Sequence, residues 1–315
     1  MDEAISRYGI LVFPPGRLHE YSNLGFGIID HIIERTSGLP YADFMRREVF
    51  LPAIDIPAGM EAYAAERYDA NQKPIPFYTF DHVGASAVYS SAHDLVRFGM
   101  FHLKNRLPDQ RPILTPESID QMHQPVEPAS YGLGFRIAPD DMGYLRFGHT
   151  GGMPGVATGM NLFPTENLAI VVLANSGIRP DFIAQDIAAV LLPRYADSLK
   201  VRRGQAAPAP RTFTATPELI GQWSGTMRTW ASTIPIRLLV KPDGAILNNA
   251  NLVDGRLSGQ FAGQIPTGDA KRWNHFVLLG LLLQDGTLKG QANAMSLTDP
   301  SMYSLASYVD VKKQP

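Results

Sequence analysis

Cysteine is missing altogether from the 315 residues, which excludes disulfides, thiolate metal sites and cysteine nucleophiles. Long apolar runs are missing too. The longest, from Phe276 to Leu283, falls far short of the roughly 20 residues a membrane helix needs, so the chain is expected to be soluble. Met1 to Arg7 is polar and mixed in charge, without the apolar centre of a signal peptide. The compartment stays open, and a periplasmic or secreted longer form is compatible with these residues. Charge of one sign is scarce: the net charge is -2 and no basic run exceeds Lys200 to Arg203, so no nucleic-acid partner is expected. The eight histidines show no paired ligand spacing, and neither a metal nor another cofactor is expected.

What is present is an ordinary globular composition, 45% apolar, and a length that favours two domains. The stretch Arg146-Phe147-Gly148-His149-Thr150-Gly151-Gly152-Met153-Pro154-Gly155 precedes two β-branched and aliphatic runs, Val156 to Phe163 and Leu168 to Ala174. Pro164-Thr165-Glu166-Asn167 separates those runs with turn formers, which predicts a hairpin. Backbone so poor in Cβ atoms can approach a ligand closely and point N–H groups at it.

A second landmark is Tyr21-Ser22-Asn23, ahead of apolar residues Leu24, Ile28, Ile32 and Ile33 at helical spacing and a Gly38 stop. This predicts a helix capped by Ser22 or Asn23, with Tyr21 on the entering loop. Further helices are predicted from Tyr41 to Leu51, from Ser91 (N-cap) to about Leu103, from Thr115-Pro116-Glu117 onward, and from Asp181 to Leu192. Residues 53 to 83 lack a steady period and read as a long surface excursion of the kind that shapes clefts. Residues 205–216, with Ala-Pro-Ala-Pro, read as a linker between domains at 1–204 and 217–315.

Beyond the linker, Asp243-Gly244, Asp254-Gly255 and Asp285-Gly286 punctuate strand-like runs. The runs are Leu219 to Arg228, Ile234 to Lys241, Arg256 to Phe261, Trp273 to Gln284, Thr287 to Ser296 and Ser307 to Lys313. They predict a small antiparallel barrel or sandwich, with Trp223 and Trp273 as core.

Tyr-x-Asn on a loop, followed far downstream by His149-Thr150-Gly151, resembles the serine β-lactamase, penicillin-binding protein and class C esterase superfamily. Phe13-Pro14-Pro15-Gly16, the segment Gly84 to Phe98, Tyr131-Gly132-Leu133-Gly134-Phe135 and Phe147 to Gly152 occur in that superfamily's usual order. The likeness covers roughly residues 8 to 195 and is nearest to the class C-like hydrolases often labelled CubicO-type. Leu219-Ile220-Gly221-Gln222-Trp223-Ser224-Gly225 is similar to the opening of the lipocalin-like C-terminal domain some of them carry.

The resemblance implies an α+β fold, a β-lactamase-like antiparallel sheet with helices, plus a small all-β barrel-like C-terminal domain. It implies a serine that attacks an ester, amide or peptide carbonyl and forms an acyl-enzyme. By the same likeness Tyr21 and His149 are the candidate catalytic residues, and Asn23, Thr150, Gly151 and Gly152 the substrate-binding ones. Tyr21 matches the proton-shuttling phenol, Asn23 the residue that bonds the substrate's carbonyl side, and Gly152 the donor of half the oxyanion hole. Lysine at the first position of the triplet would be a fixed cation suited to a substrate carboxylate. An imidazole is not fixed in charge, so weaker selection for carboxylates is expected. Taken singly, Tyr21 is an ordinary loop-anchoring tyrosine and His149 a structural histidine; their joint order and flanks carry the reading.

One family feature is absent. No serine in the 315 residues is followed three positions later by lysine; the nearest approach is Ser198-Leu199-Lys200. The expectation is a chain matching the family's C-terminal two-thirds, with the sheet's N-terminal part and the Ser-x-x-Lys nucleophile outside it. An uncovered sheet edge, homo-oligomerisation and a complementing N-terminal segment follow from that expectation. The alternative is a non-catalytic relative that binds a small acyl or peptide ligand or a partner protein. Ser86, in Gly84-Ala85-Ser86-Ala87-Val88, lacks the final glycine of a nucleophile elbow.

Overall fold

The computed structural model describes residues 1–9, 14–16, 19–50, 64–69, 71–78, 83–86, 88–108, 110–126, 129–205, 215–242, 248–253, 256–261, 263–298 and 304–315. Phe13, Ala87, most of the linker, Asp243-Gly244, Asp254-Gly255 and the first part of the 53–83 excursion lie outside the described residues. The chain divides into two compact units, one of Gly16–Ala206 with Met1, the other of Ala207–Pro315 with Asp2–Pro15. The fold is α+β, with antiparallel sheets and helices.

In chain order the helices are α1 (Asp2–Tyr8), α2 (Asn23–Ser37), α3 (Tyr41–Met45), α4 (Val83–Ser86), α5 (Ala92–His102), α6 (Pro116–Met122), α7 (Pro180–Leu191) and α8 (Pro193–Gly204). The first unit's strands are β1 (Arg67–Tyr68), β2 (Pro74–Ile75), β3 (Arg136–Ala138), β4 (Arg146–Met153), β5 (Val156–Phe163) and β6 (Leu168–Ala174). β1 and β2 pair as a small hairpin within the excursion, and the rest form an antiparallel sheet ordered β3-β4-β5-β6.

Local chemistry explains the helix ends. Ser22 has extended backbone and its Oγ accepts from the Gly25 N–H at 2.9 Å, while Gly38 closes α2 at φ 72°. Ser91 caps α5 and Thr115 caps α6, each by accepting from the N–H three residues on. The helix expected from Tyr41 to Leu51 differs: α3 stops at Met45 and the chain continues as a π-helical turn, Arg46–Phe50. Ser198-Leu199-Lys200 lies within α8, started by Pro193 at a first helical position and anchored by buried Tyr195 and Leu199.

Two cores flank the four-stranded sheet. Phe163, Ile170 and Val172 on one face pack with Ala184 and Ala188 of α7 and with Tyr195 and Leu199 of α8. Phe147 and Leu162 on the other pack with Phe135, Ile137 and Leu103. α5 approaches this second face closely at Gly99, where a Cβ would come within 2.9 Å of Leu162 and 3.1 Å of Ala169.

The second unit holds β7 (Gly221–Arg228), β8 (Thr233–Val240), β9 (Asn248–Val253), β10 (Arg256–Phe261), β11 (His275–Gln284), β12 (Thr287–Ser296) and β13 (Ser307–Lys313). They form one antiparallel sheet ordered β8-β7-β13-β12-β11-β10-β9. Alternate residues Leu288, Ala292 and Ala294 of β12, with Val309 and Val311 of β13, bury one face around Trp223. The Trp223 indole N–H donates to the Leu219 carbonyl at 2.9 Å, which fits a core role. Asp285 (φ 48°) and Gly286 (φ 71°) turn β11 into β12, both in the left-handed region that a two-residue primed turn demands.

Candidate active site

The candidate site is built on β4. Met153 and Val156 pair across the Pro154-Gly155 turn, and the register continues through Gly152↔Ala157, Gly151↔Thr158, Thr150↔Gly159 and His149↔Met160. In a two-residue hairpin the pair beside the turn exchanges both hydrogen bonds, and antiparallel pairs alternate thereafter. Gly152 and Thr150 therefore turn their N–H groups away from β5. On that side β3 pairs with β4 only from Arg146 to Gly148, so beyond Gly148 the edge has no strand partner among the described residues.

The turn is held in place. Gly155 sits at φ 69°, where a Cβ would come within 2.8 Å of Arg67 Cβ and 3.0 Å of the Tyr68 nitrogen. The Tyr78 hydroxyl donates to the Pro154 carbonyl at 2.6 Å. The β1–β2 excursion thus fixes the tip of the hairpin that presents Gly151 and Gly152.

Tyr21 reaches the same strand from the α2 entrance. Its ring lies 6.1 Å from the His149 imidazole, at an interplanar angle of 26°. The tyrosine is 55% exposed, and Thr150, Gly151 and Gly152 are exposed as well. Ser22 is committed to the helix cap, which leaves Asn23 as the first residue of α2, partly buried and two positions from Tyr21. The structure thus brings Tyr21 against His149 and places Thr150, Gly151 and Gly152 along the open edge that follows.

Two aromatic residues join them that sequence reasoning did not single out. Tyr131 stands edge-on to His149 at 6.4 Å, and His19 stacks on Tyr131 at 4.6 Å and 17°. Tyr131 opens the Tyr-Gly-Leu-Gly-Phe stretch, and its signal was Gly132: a Cβ there would meet the Met122 carbonyl oxygen at 2.1 Å. Only glycine lets the loop carrying Tyr131 lie that close to α6. Ser86 lies on α4, beside Gly84, whose N–H donates to the buried Asp30 carboxylate at 2.9 Å.

Beside β4 on its α7–α8 side is a cavity of about 220 Å³ whose lining includes His149, Thr150, Asn161 and Tyr195. Asp141, buried in its lining, gathers several donors. Its carboxylate accepts from Arg146 Nε at 2.6 Å, from Arg202 at 3.3 Å and from the Tyr195 hydroxyl at 3.4 Å. Arg146 also donates to Asn161 at 2.8 Å. Burial, with the Asp141 charge adding, pushes the Tyr195 phenol up to about 12, so it stays a donor. Among the described residues no group of three or more His, Asp or Glu is placed to hold a metal ion, and no helix is long and apolar enough to cross a membrane.

The arrangement offers a phenol, an imidazole and two outward N–H donors around one strand edge. A family model described as Beta-lactamase matches residues 6–193, more than half of the chain. The chain belongs to the beta-lactamase family. Its superfamily is that of the β-lactamase-like serine hydrolases. PbpX of Bacillus subtilis (strain 168) is 28% identical over 164 residues, which are 49% of this chain and 39% of PbpX. The octameric penicillin-binding protein homologue from Pyrococcus abyssi superposes with a TM-score of 0.52 at 16% identity, over 99% of this chain and 70% of its own. SurE, solved with D-Leu, superposes with a TM-score of 0.51 at 19% identity, over 99% of this chain and 71% of its own. These likenesses show the shared fold. This beta-lactamase-family chain spans well under half the length of PbpX.

Proposed function

We propose that this chain supplies the Tyr-x-Asn and His-Thr-Gly walls of a serine hydrolase site that opens ester or amide bonds of small acyl or peptide substrates through an acyl-enzyme. The observation that carries the reading is Tyr21 set against His149 at 6.1 Å, at the start of an edge whose Gly152 N–H faces outward. A carbonyl laid along that edge would receive a hydrogen bond from Gly152, and the bond strengthens as the oxygen becomes an oxyanion. Tyr21 would relay the proton that leaves the attacking serine hydroxyl. A phenol titrates at about 10 in water, so it acts as a base only beside a cation that favours phenolate. No Ser-x-x-Lys occurs in these 315 residues, and in this reading that motif comes from a complementing N-terminal segment, bringing both nucleophile and cation.

The peptide side of the substrate class is supported by SurE's complex with D-Leu, and self-association by the Pyrococcus octamer. The second unit is proposed as a lipocalin-like packing module, on the strength of its single-faced antiparallel sheet around Trp223. The missing Ser-x-x-Lys equally favours a second reading, a non-catalytic relative that holds an acyl or peptide ligand in the same cleft.

Reading the codons in frame upstream of Met1, then expressing the continuous polypeptide and following p-nitrophenyl ester hydrolysis, separates the two. Ser-x-x-Lys about a hundred codons upstream, with turnover that Tyr21→Phe cuts, supports the hydrolase. No motif and no turnover leaves the binding relative.

A further inference from the structure

The cavity on the α7–α8 side of β4 carries more positive charge than its fold needs. Arg136, Arg146, Arg179 and Arg202 line it against two carboxylates, Asp141 and Asp181. Asp141 is spoken for by Arg146 and Arg202, and that trio ties β4 to α8. Arg136 and Arg179 have no ion pair among the described residues. Each is instead placed over a ring, Arg136 at 5.6 Å from the Tyr131 centroid and Arg179 at 4.7 Å from Phe182. Arg136 Nη2 also donates to the Tyr131 hydroxyl at 3.5 Å, which leaves its other in-plane N–H donors, and those of Arg179, for a planar acceptor, and an oxyanion takes two of them at once.

We infer that this cavity is a binding site for a small oxyanion, a carboxylate or a phosphate, gripped by Arg136 and Arg179. A volume of about 220 Å³ suits a small anion and is below the range typical of drug-sized ligands. The Asp141 trio adds two further guanidinium groups to the lining, and Thr150, which also lies on the candidate active-site edge, lines the cavity as well. The site works by binding alone and does not depend on hydrolysis. Asp181 is the one carboxylate of the lining that the Arg146–Arg202 pair does not engage, so it opposes the anion and lowers affinity.

The test is isothermal titration calorimetry of the whole chain with sodium phosphate and, separately, sodium succinate, at ionic strength held constant with sodium chloride. The expected result is saturable binding of one probe or both, the tighter one telling phosphate from carboxylate chemistry. Arg136→Gln or Arg179→Gln should weaken it roughly tenfold or more, the range of a lost charged hydrogen bond. Asp181→Asn should tighten it severalfold, a gain that a loss of folding cannot imitate. Failure of both probes to saturate the wild-type chain, or affinities that the two arginine variants leave unchanged, would overturn the assignment.

Discussion

Tyr21 and His149, 128 positions apart in the chain, present their rings to one another at 6.1 Å and 26°. One comes from the loop that enters α2 and the other from the strand that carries the glycine pair. Neither is locked into a core, since Tyr21 is more than half exposed. Their pairing is therefore a poor contributor to stability and a good one to a cleft. In the hydrolase of which this chain is proposed to form a wall, Tyr21→Phe is expected to lower ester turnover by about 10²- to 10⁴-fold, the usual weight of a proton-transfer group. The melting temperature should shift by no more than a few degrees, because the side chain is more than half exposed. Turnover and calorimetry on the same preparation check both parts.

Gly152 and Gly148 separate function from fold on one strand. A Cβ on Gly152 meets nothing within 4 Å, whereas on Gly148 it would lie 2.5 Å from the Met160 carbonyl oxygen. Gly148→Ala is expected to destabilise the first unit by about 1–3 kcal/mol through forced backbone movement. Gly152→Pro removes an N–H that points away from β5 and so leaves the β4–β5 ladder intact. It should cost about 10²- to 10³-fold in turnover, the weight of one oxyanion donor. Gly152→Ala keeps the N–H and serves as the control. Chemical denaturation of the first variant and ester kinetics on the other two are the measurements.

His102 and His123 form a buried pair, ring centroids 5.3 Å apart, boxed by Phe98, Phe101, Phe135 and Phe147. His102 Nδ1 and His123 Nε2 have no hydrogen-bond partner among the described residues. Burial, then the neighbouring His123, pushes His102 down to about 3. Burial likewise pushes His123 down to about 4, opposed by Asp120 and helped by Lys104, which pair with each other at 2.7 Å. Both imidazoles are neutral when folded and bind protons once unfolded below their ordinary value of about 6.5. Stability contributed by this pair is therefore full above that value and falls as pH drops from about 6.5 toward 4 and 3, by up to several kcal/mol. Urea unfolding at stepped pH should show this slope, and His102→Phe with His123→Phe should flatten it by as many as about two protons. An unaltered slope in that double variant would assign the acid sensitivity elsewhere.

Asp141 carries the ion-pair network between β4 and α8. Asp141→Ala strands Arg146 and the Tyr195 hydroxyl in a largely buried setting, an expected loss of about 3–5 kcal/mol. Asp141→Asn keeps the acceptor oxygen and should lose less. Denaturation midpoints of the two variants give the ordering.

Much of this was legible in the residues, for local reasons. Ser22, Ser91, Thr115 and Gly38 act on the backbone within one turn, so sequence spacing alone locates them. Asp285-Gly286 needs only its own two φ angles. β9 was not foreseen, because Asn-Asn-Ala-Asn-Leu-Val is poor in strand formers and takes its place by pairing with β10. α8 was missed because Pro193 both ends one helix and begins the next. At the site, His149, Thr150 and the glycines are contiguous and could be read directly. Tyr131, His19, Arg136 and Arg179 come together only through the sheet and the loop packed on α6, and no spacing rule reports such meetings.

The most direct test of the central claim is intact mass after exposure to a fluorophosphonate, for this chain alone and for a polypeptide that also carries the Ser-x-x-Lys segment, each as wild type and Tyr21→Phe. No stoichiometric adduct is expected on this chain alone, one adduct at the motif serine is expected when the segment is present, and labelling should be much slower with Tyr21→Phe. An adduct on a serine of this chain alone, or motif labelling that Tyr21→Phe leaves at the wild-type rate, would contradict the central claim.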